Sequence, residues 1–410
     1  MRPQSKITIT ALISLLFFQL IYGFLFPSVG TNANWQPIST YLPKFAVASS
    51  DNFLLDKIYP LISPGYRLNS DTGHYLELAQ SFSPEYFAGN PFLERPLYSF
   101  LIFLSSLPVR LFTAPSYGII FGLAILVNFI LMSAAVLLFF SLLRKIFSEK
   151  VAWLSSILLI FSPFVHSFLN QPLAEMLMVF SVVLSAYLLH NYLQKPSLRK
   201  LIVFSLIVGT LMLGKMFFAI SFFVLFLSLY FKRYREGFIF LSVHLIPLLL
   251  WYAFVTQVWG LDYYSHGVQN WRMGVWVLDM LGWPWQQSYQ VLLKTIPNFF
   301  TALIYGFLLI PVIFSVMGIT RLPFKSKNIF YFGPVLAVFL LGFLTKFYYI
   351  RHVFLLFPII YPTAILGMER VASYLKTGKQ WFPPVFYAIV IALIIIISNV
   401  NIYRVFDYNH

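Results

Sequence analysis

The chain has no cysteine among its 410 residues, so disulfides and thiol chemistry are excluded. Charge is also scarce. Asp, Glu, Lys and Arg make up 10% of the residues, while 60% are hydrophobic. A soluble domain carries about 25% charged residues, so this chain has too little polar surface to cover itself. Phosphate-binding glycine loops, zinc-ligand spacings and nucleophile elbows are absent, as is a nucleotide-binding cassette. No internal repeat and no low-complexity linker divides the sequence.

Long apolar runs recur instead, near residues 7–26, 117–140, 238–255 and 385–400. Each approaches the ~20 residues an α-helix needs to cross a bilayer. They are too long for barrel strands, which alternate over about 10 residues. The expected fold class is therefore all-α: a polytopic transmembrane bundle, read as one membrane domain over residues 1–410. Residues 1–6, with Arg2 and Lys6, precede a long run with no small-residue cleavage site close behind it. That reads as an uncleaved first span.

The net charge of +15 does not point to nucleic acid. The basic residues stand in short clusters between apolar runs: Arg144, Lys145 and Lys150; Lys195, Arg199 and Lys200; Lys232, Arg233 and Arg235; Arg321, Lys325 and Lys327; Arg370, Lys376 and Lys379. With Arg2 and Lys6 they hold 17 of the 28 Lys and Arg. Short basic loops face the cytoplasm, so an even number of spans must separate each pair of clusters. Eleven spans meet that condition, near 7–26, 117–142, 151–168, 172–192, 200–214, 216–231, 237–256, 298–318, 329–345, 352–369 and 384–402. Two larger extracytoplasmic loops follow, 27–116 with amphipathic helices and the Trp-rich 257–297. Ten of the thirteen acids fall on the outer side. The apolar stretch 97–112 is short and interrupted by Pro108 and Arg110, and reads as a re-entrant or interfacial helix.

Charges near the outer face are the candidates for chemistry, because a charge buried in a bundle is costly. Asp71 begins an amphipathic pattern with apolar residues at 75, 78, 79 and 82, so it is either a local helix cap or a functional carboxylate. Glu94-Arg95-Pro96-Leu97-Tyr98 reads as an interfacial anchor that starts a helix or as part of a site. Glu175 opens an apolar span after Pro172, with a local role or with a buried pairing or metal role. Lys215 lies at an outer turn or inside one long helix. Lys346, Arg351 and His352 snorkel to the interface or clamp a phosphate. The aromatics of 257–297 suit an interfacial belt and equally suit stacking on sugars.

Four stretches, in order, resemble the C-type (GT-C) membrane glycosyltransferases, notably protein O-mannosyltransferases and lipid A aminoarabinose transferases. They are Asp71-x-x-x-Tyr75; Glu94-Arg95-Pro96-Leu97-Tyr98; Ser162-Pro163 followed by Glu175; and the segment Tyr349 to Pro358 with Arg351. A single acid in the first motif, a single Pro after Arg95 and His352 in place of Tyr depart from the pattern. The resemblance implies transfer of a sugar from a polyprenyl-phosphate donor to a lipid, glycan or protein acceptor, with inversion. The reaction is placed at the outer face of the cell membrane. It implies Asp71 as base, Tyr75 shaping the pocket, and Arg351 with Arg95, Lys215, Lys346 or His352 holding phosphate. Glu175 binds substrate or, with Asp71, a divalent metal. The protein partners stay open, and the rival class is a transporter or flippase of a lipid-linked or anionic substrate. A reporter fused at residue 146 is expected to give a cytoplasmic signal. An external signal there inverts every later loop.

Overall fold

A computed structural model describes residues 3–26, 35–37, 40, 66–69, 71–90, 92–214, 232–262, 282–321, 353–374 and 382–399. Helices dominate. Among the described residues six are long and apolar enough to cross a membrane: Ile7–Leu25, Tyr117–Ile146, Glu149–Phe168, Glu175–Gln194, Tyr234–Val258 and Phe354–Tyr374. A seventh arises if Ile296–Phe307 and Leu309–Arg321 form one broken span. Two of the eleven expected spans, 216–231 and 329–345, lie outside the described residues. The span expected at 200–214 is a 14-residue helix, Leu198–Leu211, which at 1.5 Å per residue covers about 21 Å. The helix Pro96–Arg110 has 15 residues, also short of the ~30 Å hydrocarbon core.

The helices are named here in chain order: α1 Pro3–Leu25, α2 Asp71–Gln80, α3 Pro84–Phe87, α4 Pro96–Arg110, α5 Tyr117–Ile146, α6 Glu149–Ile160, α7 Pro163–Phe168, α8 Glu175–Gln194, α9 Leu198–Leu211, α10 Tyr234–His244, α11 Ile246–Ala253, α12 Trp285–Phe307, α13 Leu309–Gly318, α14 Phe357–Tyr374 and α15 Phe382–Asn399. Two short strands, β1 Trp35–Pro37 and β2 Arg67–Asn69, pair antiparallel, with Gln36 opposite Leu68. Serines set several helix starts. Ser116, Ser148, Ser162 and Ser197 each accept the backbone N–H three residues on, at 3.2–3.4 Å. Each thereby satisfies a donor that the first turn leaves orphaned. In α6–α7 the Ser162-Pro163 pair ends one helix and starts the next within a single span.

One end of the bundle collects the positive charge. Lys145, at the end of α5, donates to Asn191 Oδ1 near the end of α8 (2.9 Å) and lies 4.2 Å from the Tyr187 ring. Lys150, at the start of α6, pairs with Glu369 of α14 (3.5 Å) and caps the Tyr387 ring of α15 at 3.6 Å. Arg233 pairs with Glu236 at 3.2 Å, and both interact with Tyr192 near the end of α8. Lys200 donates to the Lys195 carbonyl (2.9 Å), and Arg370 reaches the Met317 carbonyl at 3.2 Å. Contacts between distant helix ends thus join the basic clusters at 144–150, 195–200, 232–235, 321 and 370 into one face.

The stretch expected as a span near 298–318 is broken into two helices. The chain is bent by 102° between α12 and α13. Leu308, at the break, has φ 66°, a region that L side chains avoid. Proline explains the stop. In a continuous helix Pro311 would clash with the carbonyl of Phe307, whereas in the first turn of a new helix its missing N–H costs nothing. After the break α13 lies very close to α14. A Cβ on Gly318 would sit 1.9 Å from the Thr363 carbonyl oxygen, and one on Gly367 would sit 1.9 Å from that of Phe314. Ser315 and Thr363 hydroxyls meet at 2.5 Å across the same seam. Small residues let membrane helices approach this closely. Gly318→Ala and Gly367→Ala are each expected to lower stability by roughly 1–3 kcal/mol, read as a lower melting temperature of the detergent-solubilised protein.

Candidate functional site

Two carboxylates begin helices that start from stitched segments. The Tyr66 hydroxyl donates to the Asn170 carbonyl, and burial pushes that hydroxyl well above its usual range, so it stays a donor. One residue along, the Gln171 side chain donates from Nε2 to the Arg67 carbonyl at 2.9 Å. These bonds join the strand β2 to the turn between α7 and α8. Four residues after Arg67 comes Asp71, in the first turn of α2. Four residues after Gln171 comes Glu175, in the first turn of α8. Both carboxylates therefore occupy helix N-terminal ends, where the backbone dipole favours negative charge.

The two acids differ in setting. Glu175 is fully buried, while Asp71 is half-buried. Asn69 Oδ1 accepts the Asp71 N–H at 2.9 Å, an Asx turn that shapes the entry to α2. The Asp71 carboxylate is inside the helix rather than at its cap, and no hydrogen bond or ion pair reaches it among the described residues.

Tyr75, one turn on, is buried. Its ring stacks on Phe92 at 4.4 Å and meets Tyr98 edge-on at 5.2 Å. The Ser99 hydroxyl donates to the Tyr75 carbonyl at 3.1 Å. Tyr98 in turn donates to Asn128 Oδ1 at 2.9 Å. Asn128 Nδ2 donates to the carbonyls of Gln171 (2.5 Å) and Leu169 (3.4 Å). The Glu175 carboxylate is near enough to Tyr98 to act on its hydroxyl electrostatically, as is Tyr75. Tyr98 thus links the helix of Asp71 to the turn before Glu175.

Arg95 precedes the first residue of α4 and lies 5.7 Å from the Phe92 ring centroid. The Leu97 N–H donates to the Leu213 carbonyl at 3.0 Å. Lys215, Lys346, Arg351 and His352 lie outside the described residues. At the far end of α4, Arg110 donates to the Ala79 and Gln80 carbonyls at 2.9 and 2.7 Å. A cation thereby meets the negative end of α2. With Ser99 tied to Tyr75 and Arg110 tied to Gln80, α2 and α4 run side by side in parallel.

Of the expected site residues, the structure brings Asp71, Tyr75, Arg95 and Glu175 into one connected region. Asn128 was missed. Its signal was a lone amide within a 30-residue apolar helix, a position where buried polar groups need a reason. Trp259 of the Trp-rich segment packs on Phe87 at 5.0 Å and Trp251 at 5.4 Å. Trp251 itself donates to the Leu93 carbonyl at 2.9 Å. Those rings brace the Glu94–Arg95 stretch. Residues 285–297, expected as loop, are instead the start of α12, with Trp285 and Tyr289 exposed. Among the described residues no three His, Asp or Glu converge to hold a metal ion.

The dolichyl-phosphate-mannose-protein mannosyltransferase family matches over residues 97–259, from the start of α4 to just past α11. No curated protein matches the sequence. Among solved structures, ArnT from Cupriavidus metallidurans bound to undecaprenyl phosphate is similar at 14% identity and TM-score 0.54, over 82% of this chain and 73% of that one. The oligosaccharyltransferase AglB from Archaeoglobus fulgidus, in complex with an inhibitory peptide and a dolichol-phosphate, is similar at 11% identity and TM-score 0.51. That match covers 96% of this chain and 55% of that one. This chain thus spans about half the length of the archaeal protein.

Removing the amide at the centre of the site tests the network. Asn128→Leu strands the Tyr98 hydroxyl and the Leu169 carbonyl, while the Gln171 carbonyl keeps the Leu173 N–H. It is expected to destabilise the protein by about 1–3 kcal/mol, measured by denaturation in detergent. Tyr98→Phe should cost less, and the two together less than their sum.

Proposed function

We propose that this chain, whose fold is that of the C-type (GT-C) membrane glycosyltransferases, moves a sugar from a polyprenyl-phosphate donor to a hydroxyl or amine acceptor. The observation that carries the reading is the stitch that sets Asp71 and Glu175 four residues beyond its two ends, within a fold whose similar structures hold polyprenyl phosphates. The basic end of the bundle supports an orientation. Short basic loops face the cytoplasm. Glu175 opens a 20-residue helix whose other end leads to Lys195, about 30 Å away. The candidate site then belongs to the extracytoplasmic side of a multi-pass protein.

The chemistry divides between two needs. The donor's phosphate leaves without a strong acid, because it is already a stable anion. The acceptor must lose a proton as it attacks. Asp71 is placed for that role. Its carboxylate stands in the first turn of α2, has no hydrogen-bond partner among the described residues and is partly open to solvent. The acceptor oxygen or nitrogen bonds to the anomeric carbon from the face opposite the phosphate, and its proton passes to Asp71. The bond from the anomeric carbon to the phosphate oxygen breaks, and polyprenyl phosphate departs with the electron pair. Direct displacement inverts the anomeric centre. Glu175 orients the acceptor from its buried position. Arg95, with Lys215, Lys346, Arg351 and His352, supplies positive charge to the leaving phosphate. A divalent metal held by Asp71 and Glu175 would need further ligands.

Asp71→Asn is expected to lower transfer at least 100-fold without weakening donor binding, and Asp71→Glu to keep part of the activity. The assay follows labelled sugar from undecaprenyl-phosphate mannose and related donors into lipid, glycan and peptide acceptors. Full transfer by Asp71→Asn removes the base assignment. Movement of unchanged donor across the membrane without covalent product would favour a transporter.

A further inference from the structure

Gln171 has two polar side-chain atoms with different fates. Nε2 is committed to the Arg67 carbonyl at 2.9 Å. Oε1 has no hydrogen-bond partner among the described residues, although the residue is 97% buried. A buried carbonyl oxygen without a donor is costly, and such atoms in a folded protein call for a reason. The amide cannot turn over to find one. Reversing it would face Oε1 to the Arg67 carbonyl, oxygen against oxygen. Asn128 and Tyr66 hold the backbone on either side, through the carbonyls of Gln171 and Asn170. Gln171 Oε1 is therefore an acceptor fixed in place by bonds that do not use it.

Its position gives it meaning. It lies on the residue four before Glu175 and is tied to the strand that leads into Asp71. This region then offers two carboxylates and one carboxamide oxygen, all hydrogen-bond acceptors. A phosphate brings acceptors of its own and gives them nothing. A sugar ring brings several hydroxyls, each able to donate. We propose that Gln171 Oε1 accepts a hydrogen bond from a hydroxyl or amine of the bound sugar, and so reads the sugar rather than the lipid or its phosphate. This rests on the reading of the chain as a transferase with a lipid-linked sugar donor.

The test separates the sugar from its carrier. Full-length protein in detergent is titrated with undecaprenyl-phosphate mannose, the matching glucose and aminoarabinose lipids, and bare undecaprenyl phosphate. The wild type is expected to bind at least one glycosylated lipid more tightly than the bare carrier. Gln171→Met, close in size and without either polar atom, is expected to weaken that lipid about 10-fold and leave the bare carrier unchanged. Gln171→Glu sets an oxygen against the Arg67 carbonyl and is expected to weaken both lipids alike and to lower the melting temperature, whereas the Gln171→Met loss is confined to the glycosylated lipid. Equal losses for both lipids in Gln171→Met, or no loss, overturns the proposal. A wild type that does not distinguish the lipids overturns it too. Binding is read without turnover. A protein that binds glycosylated lipid but transfers nothing refutes the transferase reading alone. Transfer with normal binding by Gln171→Met refutes this one alone.

Discussion

The constraint on which the site depends is that a polar turn inside an apolar bundle must satisfy its own backbone. The chain between α7 and α8 is not helical, so its carbonyls at 169, 170 and 171 have no partners within a helix. Lipid offers none. Two side chains answer from distant parts of the chain, Asn128 of α5 to the carbonyls of 169 and 171 and Tyr66 to that of 170; Tyr98 of α4 holds Asn128, and the Leu173 N–H also reaches the Gln171 carbonyl. Gln171 returns the bond by donating to Arg67. The need to bury these carbonyls therefore fixes where β2 runs, and β2 fixes where Asp71 begins. The geometry of the candidate site and the satisfaction of the backbone are here one set of contacts.

Charge organises the molecule on a larger scale. Salt bridges contribute little at an exposed surface, and the Lys150–Glu369 and Arg233–Glu236 pairs are both partly exposed. Their importance is positional. The first ties α6 to α14, and the second, at the start of α10, reaches α8 through Tyr192, while the buried acid Glu175 lies a full helix length away. The bundle is polar in the electrical sense, with cations at one end and the candidate carboxylates at the other. An anionic headgroup at the second end would have to be met by cations set apart from the basic face. Arg95 stands at the start of α4, whereas Arg110 at its far end is committed to the Ala79 and Gln80 carbonyls.

Much of this was legible in the sequence. The amphipathic spacing after Asp71 gave α2 and its buried Tyr75. Pro96 gave the start of α4, whereas the break at Ser162-Pro163 between α6 and α7 falls inside a stretch expected as one span, 151–168. The even-span rule joined basic clusters that the structure joins by contact. Tertiary partners were not legible. No periodicity says that Tyr98 meets Asn128, or that Arg110 closes the far end of α2, because those bonds link residues 30 or more apart. The bend inside the span expected near 298–318 was not legible, because apolarity is blind to direction. Pro311 counts as one more apolar residue to a hydropathy window, yet its ring decides that the chain must turn.

That bend bears on how the bundle is built. Where a helix is interrupted, the interruption is used. Ser162-Pro163 breaks a span and leads directly to the turn that presents Glu175. Leu308 and Pro311 break another and bring Gly318 against α14, whose neighbouring turn Phe354–Leu356 stacks Phe354 on Phe164 of α7 at 4.1 Å. Phe307, the last residue before the second break, stacks on the same Phe354 at 5.4 Å. One aromatic thus contacts elements from both interrupted spans. A displacement of α12 must be felt by α7, and through α7 by the turn that carries Gln171 and Glu175. The rigid apolar packing beneath the site gives its few polar bonds a fixed frame, and that frame lets an acceptor such as Gln171 Oε1 hold its place among the packed side chains.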